Sequence, residues 1–513
     1  EFQDTNKIQY AWLRLLAGEH GMLTAVGDDD QSIYGWRGAC IENIRTFQRD
    51  YADAELIRLE QNYRSTSAIL QAANAVIANN GDRLGKNLWT ERPNGDPIRV
   101  YAAFNDLDEA HYIARTLDDR FRAGTARRDM AILYRSNAQS RVLEEALLRA
   151  QIPYRIYGGL RFFERAEIKN AVGYLRLMQQ RDDDTAFERV VNTPTRGIGD
   201  KTLELLRQVT REEKISLWAA AEAVLKGKLL PTLASGKLAA FLQLIETLDL
   251  NTREVPLGEL IEAVIEQSGL VLHHQKEKGE KGQARVENLR ELISAAREFE
   301  VEDDEAPSAL AAFLDHAALE AGEQQAGEFE DAVQLMTLHA AKGLEFPIVF
   351  LAGFEEGLFP HEMSLKDGNI EEERRLCYVG ITRAMRELYI TYAEVRRLYG
   401  SENHHVPSRF LREMPETLLE PVRVKSVPSA MSYRGGSSVP NSALPANLKQ
   451  TSLGGDATGD GSWSLGQRVA HPRFGEGVIL AFEGNGPNAR IQVNFADLGS
   501  KWLVAQYARL TRI

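Results

Sequence analysis

The order of apolar and polar residues predicts an α/β region at the start of the chain. Short apolar runs predict strands at residues 23–27, 55–60, 98–103 and 130–134. Helices are predicted from about residue 66 to residue 78, and from near residue 108 between the third and fourth strands. This succession of strand and helix is typical of a parallel sheet covered by helices.

From about residue 158 to residue 330, apolar residues recur with the period of an α-helix, and strand signals are almost absent. Helices are predicted at residues 167–179, 202–211, 215–225, 236–249, 257–268, 284–299 and 307–321. Strands return at residues 333–337 and 348–353. The pattern therefore predicts a helical domain inserted into an α/β domain, with Gly158-Gly159 as a flexible joint.

The last ninety residues have a different character. Residues 425–463 are rich in Ser, Pro, Gly and Asn, which predicts a disordered linker. Beyond the linker, residues 468–471, 477–483, 489–495 and 501–506 alternate like short strands, which predicts a small β-barrel. From residue 464 onward six Lys and Arg oppose three Asp and Glu, a net charge of +3 that suggests an acidic partner surface.

Composition changes this picture only slightly. The net charge of −13 argues against a nucleic-acid partner, but only weakly, because a positive channel can lie on an acidic body.

Cys40 and Cys377 lack disulfide or metal-ligand spacing, which predicts a reducing compartment. The adjacent pairs His273-His274 and His404-His405 lack partners at ligand spacing, so no metal site is predicted there. No apolar run approaches the ~18 residues that span a bilayer, so no membrane partner is expected.

A nucleotide-hydrolysing enzyme needs a loop that cradles phosphates, and G-x-x-x-x-G-K-[ST] is a common form of it. Gly-Lys pairs occur at residues 85–86, 227–228 and 236–237. Each is followed by Asn or Leu in place of Ser or Thr, and none has a Gly five residues before its own Gly. The sequence therefore contains no phosphate cradle of this type.

Several blocks of polar and glycine residues follow one another in a fixed order. They are Glu-Phe-Gln-Asp-Thr at residues 1–5, Gly-Asp-Asp-Asp-Gln-Ser-Ile-Tyr-Gly-Trp-Arg-Gly at 27–38, Asn-Tyr-Arg-Ser at 62–65, Tyr-Arg-Ser-Asn-Ala-Gln-Ser-Arg at 134–141, Thr-Leu-His-Ala-Ala-Lys-Gly-Leu-Glu-Phe at 337–346 and Thr-Arg-Ala at 382–384. Together they resemble consecutive motifs of the UvrD/Rep/PcrA family of superfamily 1 DNA helicases. Residues 466–477 resemble the Tudor-like tail of UvrD and PcrA.

The resemblance implies an α/β fold class with RecA-like parallel-sheet P-loop NTPase domains, an inserted all-helical domain and a small C-terminal Tudor/SH3-like β-barrel. It assigns residues 1–60 to a partial first RecA-like domain, cut before the Asp of its Walker B motif. Residues 61–157 and 331–424 form the second RecA-like domain. The helical insert is expected at 158–330, the linker at 425–463 and the barrel at 464–513.

The resemblance also implies ATP and Mg²⁺ as cofactors and gives several residues nucleotide-handling roles. Glu1 matches the carboxylate that activates the attacking water, and Gln31 the residue that senses the γ-phosphate. Arg64 and Arg383 match the two γ-phosphate arginines. Tyr63 matches the residue that stacks on adenine, and the block containing Gly343 and Glu345 faces the nucleotide sugar. No metal ligand is predicted in the chain, because the Mg²⁺-binding Asp of the family precedes the position of Glu1.

Residues for DNA contact need aromatic platforms and polar donors. Tyr34 and Trp36 lie on a Gly-flanked loop, which favours display over a core position. Arg135 and Asn137 match a family DNA-contact motif, and His339 is expected to face DNA, although an ordinary surface histidine remains the alternative. Two further matches are weaker. Gly197 and Gly199 resemble a duplex-gripping loop or form a plain helix-entry turn, and Tyr399 matches a hairpin pin or is a turn-flanking tyrosine.

The expected function is that of an ATP-dependent 3′–5′ DNA helicase that translocates on single-stranded DNA and unwinds duplex in nucleotide-excision, mismatch and replication-linked repair. Because the phosphate cradle is missing, the chain alone is expected to be inactive. The alternative is a non-catalytic fragment that binds DNA and docks on RNA polymerase. Expected partners are single-stranded and duplex DNA, with RNA polymerase and repair proteins at the barrel. The expected location is the bacterial cytoplasm, at the nucleoid.

Overall fold

The computed structural model describes residues 1–18, 22–81, 83–277, 280–299, 308–322, 326–327, 330–398, 401–422, 468–471, 475–483, 490–495, 499–504 and 510–512. They belong to two compact units, Glu1–Val427 and Pro428–Ile513. The predicted linker and Tyr399 lie outside the described residues. In the part that is described, every helix is too short or too polar to cross a membrane.

The first sixty residues contain the helices α1 (Lys7–Ala17) and α2 (Glu42–Asp50). The predicted strands at residues 23–27 and 55–60 are wrong, because no residue of either segment belongs to a strand of the described chain. Their backbone makes isolated bonds, such as Phe2 N–H to the Val26 carbonyl at 2.9 Å. Apolar residues such as Val26 and Leu59 are exposed. The pattern typical of buried strands is present, but the ladder that defines a strand is not.

The next segment alternates helix and strand as predicted. Its elements are α3 (Ser67–Ile77), β1 (Ile98–Ala103), α4 (Asp106–Arg122), β2 (Met130–Tyr134), α5 (Ser140–Arg149) and β3 (Tyr154–Ile156). The strands predicted at 98–103 and 130–134 are confirmed at both ends. All five residues of β2 are buried, which explains its continuous apolar run.

Nine helices follow in the described residues up to residue 322. They are α6 (Ala166–Gln179), α7 (Asp184–Val190), α8 (Asp200–Glu213), α9 (Leu217–Lys226), α10 (Thr232–Thr252), α11 (Leu257–Gln267), α12 (Leu270–Gln275), α13 (Glu280–Glu298) and α14 (Ala309–Gly322). The seven predicted helices are confirmed. The prediction missed α7 and α12, which are too short to show a helical period. Buried side chains from most of these helices, Tyr174, Phe187 and Phe241 among them, form one apolar core.

The chain then returns to the sheet. The remaining elements of this unit are β4 (Val333–Thr337), β5 (Phe346–Leu351), α15 (Glu362–Lys366), α16 (Ile370–Ile381), β6 (Ala384–Ala393), β7 (Val395–Leu398), β8 (Ser401–His404), α17 (Arg409–Arg412) and β9 (Leu419–Pro421). Seven strands form one parallel sheet in the order β3-β4-β2-β5-β6-β1-β9, while β7 and β8 pair as an antiparallel hairpin. Tyr154 of β3 pairs with Val333 of β4, so the helices leave and re-enter the sheet between two neighbouring strands.

The second unit is a five-stranded antiparallel sheet. Its strands are β10 (Arg468–His471), β11 (Gly475–Glu483), β12 (Arg490–Phe495), β13 (Gly499–Val504) and β14 (Thr511–Arg512), in the order β13-β12-β11-β10-β14. Val469, Ile491 and Val493 form its small apolar core. The four predicted strands are confirmed within two residues, and the two-residue β14 was not predicted.

Candidate functional site

Two arginines and a glutamate meet at the amino-terminal edge of the parallel sheet. Arg64 precedes α3, Glu345 precedes β5 and Arg383 precedes β6. The Arg64 guanidinium pairs with the Glu345 carboxylate. Arg383 is 1% exposed, and its Nη1 donates to the Leu344 carbonyl at 3.0 Å. The fold thus brings together three residues that lie up to 319 positions apart in the sequence.

This edge of the sheet is short of negative charge. Burial, together with the nearby charge of Arg64, lowers the pKa of Arg383 to about 10, whereas Tyr378, Asp28 and Glu345 oppose the change. An anion with several negative charges, placed beside the two guanidiniums, would relieve this cost. Planar guanidinium groups suit phosphate oxygens in particular. The geometry therefore fits the phosphates of a nucleotide.

Tyr63 and Gly343 lie on loops beside the two arginines. The Asn62 side chain accepts from the backbone N–H groups of Arg64 and Ser65, each at 2.9 Å, and so fixes the turn. Tyr63 is 72% exposed on this turn, which leaves its ring free to stack on a planar group. Gly343 has φ +87°, a conformation that side chains rarely adopt. The roles expected for Tyr63 and Gly343 remain predictions.

Lys342 is a site residue that the sequence analysis did not single out. Its side chain is 6% exposed, and its Nζ lies 2.6 Å from Asp4 Oδ2, 3.5 Å from Glu1 Oε2 and 2.8 Å from the Gln31 carbonyl. Burial acts to raise the pKa of Glu1, but Lys342, the α-ammonium group of Glu1 and the Gln3 side chain outweigh it, so this pKa lies below its usual value. Glu1 therefore stays ionised, as a base would need to be. The signal for Lys342 was available in its own motif, three residues before Glu345.

The Gln31 side chain is held by a three-aspartate turn. Its Nε2 donates to Asp28 Oδ2 at 2.7 Å, and Asp28 pairs in turn with Lys86. Asp30 receives two hydrogen bonds from Arg83, at 2.8 and 2.7 Å. Because these carboxylates are already paired with cations, they do not fit a Mg²⁺ ion.

Two other groups of potential metal ligands occur in the described chain. They are His273, His274 and Glu277, and Glu145, His316 and Glu320. Glu277 is three residues after the histidine pair, a carboxylate partner that the sequence analysis overlooked. An arginine contacts one carboxylate in each group, Arg285 at Glu277 and Arg149 at Glu145. Neighbouring guanidinium charge disfavours a metal cation at both places.

An aromatic platform lies at the opposite edge of the sheet. Trp36 is 42% exposed, and the Arg37 guanidinium lies 4.6 Å from the centre of the Trp36 ring and 5.2 Å from that of Tyr34. The His339 ring meets the Trp36 ring edge to face at 6.3 Å. Gly35 between the aromatics lets the Glu372 carboxylate approach, because a Cβ there would lie 2.6 Å from it and would displace the end of that side chain. Clustered aromatic rings flanked by an arginine suit unpaired bases.

A pocket of about 340 Å³ opens beside this platform. Its lining includes Trp36, Arg135, His339, Glu372 and Glu373. Arg135 follows β2 and lies 2.7 Å from the buried Glu373 carboxylate, so the lining holds acceptors as well as donors. Asn137 does not line the pocket, and its carbonyl accepts from Arg165 at 2.9 Å. The structure thus unites three of the predicted DNA-contact residues in one pocket.

His339 is neutral at physiological pH. Burial lowers its pKa to about 3, helped by the charges of Arg135 and Arg37, while Glu373 opposes them. His339 resists protonation in the folded chain. The free energy of unfolding therefore falls as pH drops below about 6.5, the pKa of histidine in the unfolded chain. From pH 7 to pH 5 the free energy of unfolding should drop in the unmodified chain. In His339→Asn we expect this drop to be smaller by about 1–2 kcal/mol. Urea denaturation at both pH values measures the free energy of unfolding.

The matched control for this prediction is His111→Asn, on the exposed face of α4. This change should leave the difference between pH 7 and pH 5 unaltered. If His339→Asn and His111→Asn gave the same difference as the unmodified chain, His339 would not be the group that makes the fold acid-sensitive.

Gly197 and Gly199 lie before α8, in the helical segment. Gly197 has φ +75°, and a Cβ at that position would collide with Lys237 Nζ. The Lys237 ammonium lies 3.5 Å from the Gly197 carbonyl, and nothing fills the space beside Gly199. A lysine beside open backbone N–H groups is suited to a phosphate. The sequence pattern gave no sign of Lys237, which comes from a helix 40 residues away.

The two edges of the sheet are joined by residues 338–345. Because β4 and β5 are parallel neighbours of β2, the loop between them must run from the carboxyl edge, where His339 lies, to the amino edge, where Glu345 lies. Lys342 lies midway and contacts the segment that carries Glu1 and Gln31. The Tyr34 hydroxyl also donates to the His339 carbonyl at 3.3 Å. A change at one edge therefore has a short covalent route to the other.

Comparison with known proteins places this architecture in a family. Residues 57–395 match the model of the UvrD-like helicase C-terminal domain. Residues 1–52 match that of the UvrD/REP helicase N-terminal domain, and residues 465–512 that of the PcrA/UvrD tudor domain.

Individual relatives agree with these matches. DNA helicase II of Escherichia coli (strain K12) is 56% identical over 518 residues, which cover 100% of this chain and 69% of the relative. DNA helicase II of Haemophilus influenzae is 54% identical, with the same coverage. ATP-dependent DNA helicase PcrA of Staphylococcus aureus (strain COL) is 40% identical over 524 residues, covering 100% of this chain and 70% of that protein. The chain belongs to the UvrD family of DNA helicases, the family of DNA helicase II.

Proposed function

We propose that this chain works in an ATP-dependent DNA helicase that moves 3′ to 5′ on single-stranded DNA and unwinds duplex. The observation that carries the proposal is the arrangement of one sheet with an arginine pair at its amino edge and an aromatic pocket at its carboxyl edge. Residues 338–345 connect the two edges. The direction of movement comes from the family resemblance alone.

In this proposal Arg64 and Arg383 bind the γ-phosphate, where their charges stabilise the transition state of phosphoryl transfer. Lys342 keeps Glu1 ionised and close to the Gln31 backbone, so that Glu1 can orient and deprotonate water. Tyr63 stacks on the base, and Glu345 contacts the sugar. ATP, when bound, supplies the γ-phosphate whose hydrolysis drives the cycle.

DNA contact is proposed at the aromatic platform and the Gly197–Gly199 loop. Tyr34 and Trp36 stack on unpaired bases, Arg135 and His339 line the pocket that receives them, and Asn137 offers polar contacts beside it. The glycine loop with Lys237 holds the phosphates of the duplex. The proposed domains are residues 1–60, 61–157 with 331–424, 158–330, the linker 425–463 and the barrel 464–513.

We further propose that the phosphate cradle and the Mg²⁺ ligand come from outside these 513 residues. The sequence has no G-x-x-x-x-G-K-[ST]; Asp28 and Asp30 of the turn at residues 28–30 are paired with cations, and Asp29 accepts from the Leu84 backbone N–H. On this view the chain alone binds single-stranded DNA without hydrolysing ATP.

A second candidate function is non-catalytic DNA binding with docking on RNA polymerase or repair proteins. The supporting observation is the exposed pair Lys501 and Trp502 on β13 of the second unit. Because consecutive strand residues face opposite sides of the sheet, Trp502 offers an apolar anchor on one face and Lys501 a positive charge on the other. Repair of DNA in the bacterial cytoplasm, at the nucleoid, is the proposed setting for either function.

ATP hydrolysis, measured with and without single-stranded DNA on this chain and on the chain joined to a phosphate-cradle segment, separates the two candidates. We expect DNA binding without turnover. Turnover that Arg64→Ala abolishes would show that the chain hydrolyses ATP by itself, whereas turnover that survives this change is a contaminant. Joined to a segment that contains G-x-x-x-x-G-K-[ST], the chain should show DNA-stimulated hydrolysis. A joined chain that folds, binds DNA and shows no such hydrolysis would refute the helicase proposal.

A further inference from the structure

Helix α13 of the helical segment packs against the α/β part through buried charges. Arg141 on α5, 5% exposed, donates from Nε to Glu291 Oε1 at 2.7 Å and from Nη2 to Glu298 Oε2 at 2.7 Å. Its Nη1 lies 3.1 Å from Glu145 on its own helix. One guanidinium thus faces three carboxylates, and two of the three belong to α13.

Other charged groups around this cluster do not balance it. Asp106, buried at the start of α4, adds a fourth carboxylate that acts on both Glu291 and Glu298. Arg396, buried between Glu109 and Glu355, acts on Asp106. Apart from Arg141, the cations closest to the other carboxylates within the described residues lie at the rim, where Arg149 is 3.1 Å from Glu145 and Arg397 is 3.9 Å from Glu298. The excess of negative charge is therefore concentrated at the deepest carboxylate.

Glu291 is that carboxylate. It is 2% exposed, and its second oxygen, Oε2, is buried without a hydrogen-bond partner among the described residues. An ionised oxygen in this position carries a full desolvation cost. Burial raises the pKa of Glu291 to about 7, and Glu298 and Asp106 act in the same direction against the opposing charge of Arg141.

The neighbouring turn of α13 shows the opposite arrangement. Glu287 accepts from Ser136 Oγ at 2.6 Å and from Gln283 at 3.1 Å, and it lies 3.2 Å from His361 Nε2. Burial acts to raise its pKa, but these partners outweigh it, so the pKa of Glu287 is lowered. Two buried glutamates one turn apart on the same seam therefore differ in their hydrogen-bond partners and in the carboxylates that act on them.

We propose that Glu291 is a proton-operated latch between the helical segment and the α/β part, with α13 docked firmly when Glu291 is neutral and loosely when it is ionised. A neutral carboxyl still accepts the Arg141 hydrogen bond at Oε1, while the proton on Oε2 removes the uncompensated charge. Because α13 lies on α5 and on the turn after β2, the latch controls how firmly the helices are held beside the loop that carries Arg135 and Asn137.

The sign of the effect follows from proton linkage. The docked state holds its Glu291 proton more tightly than an exposed glutamate with a pKa of about 4.5, so docking is favoured at low pH and weakens as pH rises towards 7. Between pH 6 and pH 8 the docking equilibrium constant should fall about tenfold. Above that range the effect levels off, because Glu291 is then ionised in both states.

Hydrogen exchange measured by mass spectrometry tests the latch on the whole chain. The protection factor of peptides from α13, corrected for the intrinsic pH dependence of exchange, should fall about tenfold from pH 6 to pH 8. In Glu291→Gln, which keeps the shape and the acceptor, the fall should be less than twofold. In the matched control Glu287→Gln, protection should drop at both pH values while the tenfold step persists.

Two outcomes would overturn the latch. One is a protection factor of α13 in the unmodified chain that is equal at pH 6 and pH 8, a measurement that does not depend on any variant folding. The other is a Glu291→Gln chain with native circular dichroism that retains the tenfold step, since the proton would then bind elsewhere.

Discussion

Replacing Arg396 with Met is expected to lower the free energy of unfolding by about 3–5 kcal/mol, the cost typical of breaking a buried ion pair. The Arg396 side chain is 6% exposed and lies between the buried carboxylates of Glu109 and Glu355. Its Nη2 lies 2.6 Å from Glu355 Oε1, and it also pairs with Glu109. Methionine fills the space but leaves two carboxylates buried without their cation.

Arg409→Met is the matched control. Arg409 also pairs with a glutamate, Glu356, but its side chain is 47% exposed, and such pairs contribute at most about 1 kcal/mol. Urea unfolding followed by circular dichroism measures both variants. Adding Glu355→Gln to Arg396→Met should recover part of the loss, because one of the unpaired charges is removed. Equal losses for Arg396→Met and Arg409→Met would contradict the argument.

The prediction bears on the site because Arg396 anchors the base of the β7–β8 hairpin to the sheet. Glu109 lies on α4, and Glu355 follows β5 at the carboxyl edge. Glu109 also accepts from the Gly353 backbone N–H at 2.8 Å, and Glu355 from that of Ala393 at 2.6 Å. The hairpin is thus fixed to the edge of the sheet that carries the aromatic pocket.

The sequence predicted those strands whose own residues carry a clear apolar pattern. The strand at residues 130–134 is fully buried and almost continuously apolar, and that at 333–337 places Val333, Leu335 and Met336 in the core, so the local pattern gives the ends of both. The ten-residue β6 was missed because Arg386 and Glu387 interrupt its apolar pattern near the start. Residues 23–27 have a strand pattern but no strand beside them in the described chain, and pairing is a property of the fold, not of the segment.

For the candidate site, the motifs named the residues but not their partners. Arg64, Glu345 and Arg383 were each identified within their own motif, and their proximity came only from the fold. The contact between Gly35 and Glu372 joins residues 337 positions apart, and no local pattern shows it. Lys342 was overlooked because a lysine in a loop is usually solvated, and its burial against Asp4 becomes visible only in three dimensions.

The sequence also did not show which buried groups have shifted pKa values. The net charge of −13 says nothing about Arg383, whose pKa is lowered by burial and by Arg64, or about Glu291, whose pKa is raised by burial and by other carboxylates. In both places like charges are gathered in a buried position without enough counter-charge. At Arg383 the missing charge fits a phosphate, whereas at Glu291 a proton suffices.

The second large effect is expected on DNA binding. Trp36→Ala should weaken the binding of single-stranded oligo(dT) about 5- to 150-fold, which corresponds to the ~1–3 kcal/mol that one stacked base contributes. Trp36 is partly exposed and held in place by Arg37 and His339, so a base can reach its ring without displacing the core. The control is Trp12→Ala on the exposed face of α1, which should leave the affinity unchanged.

A salt series separates stacking from charge. Because a base stacked on Trp36 releases no counterion, Trp36→Ala should weaken binding equally at every salt concentration. Arg37→Gln should instead reduce the slope of log affinity against log salt by about 0.7, the value for one phosphate contact on a single strand. Fluorescence anisotropy of labelled oligo(dT) measures both. A Trp36→Ala chain with unchanged affinity across the series would exclude Trp36 as a stacking platform, and a reduced slope would mean that the tryptophan acts by positioning Arg37.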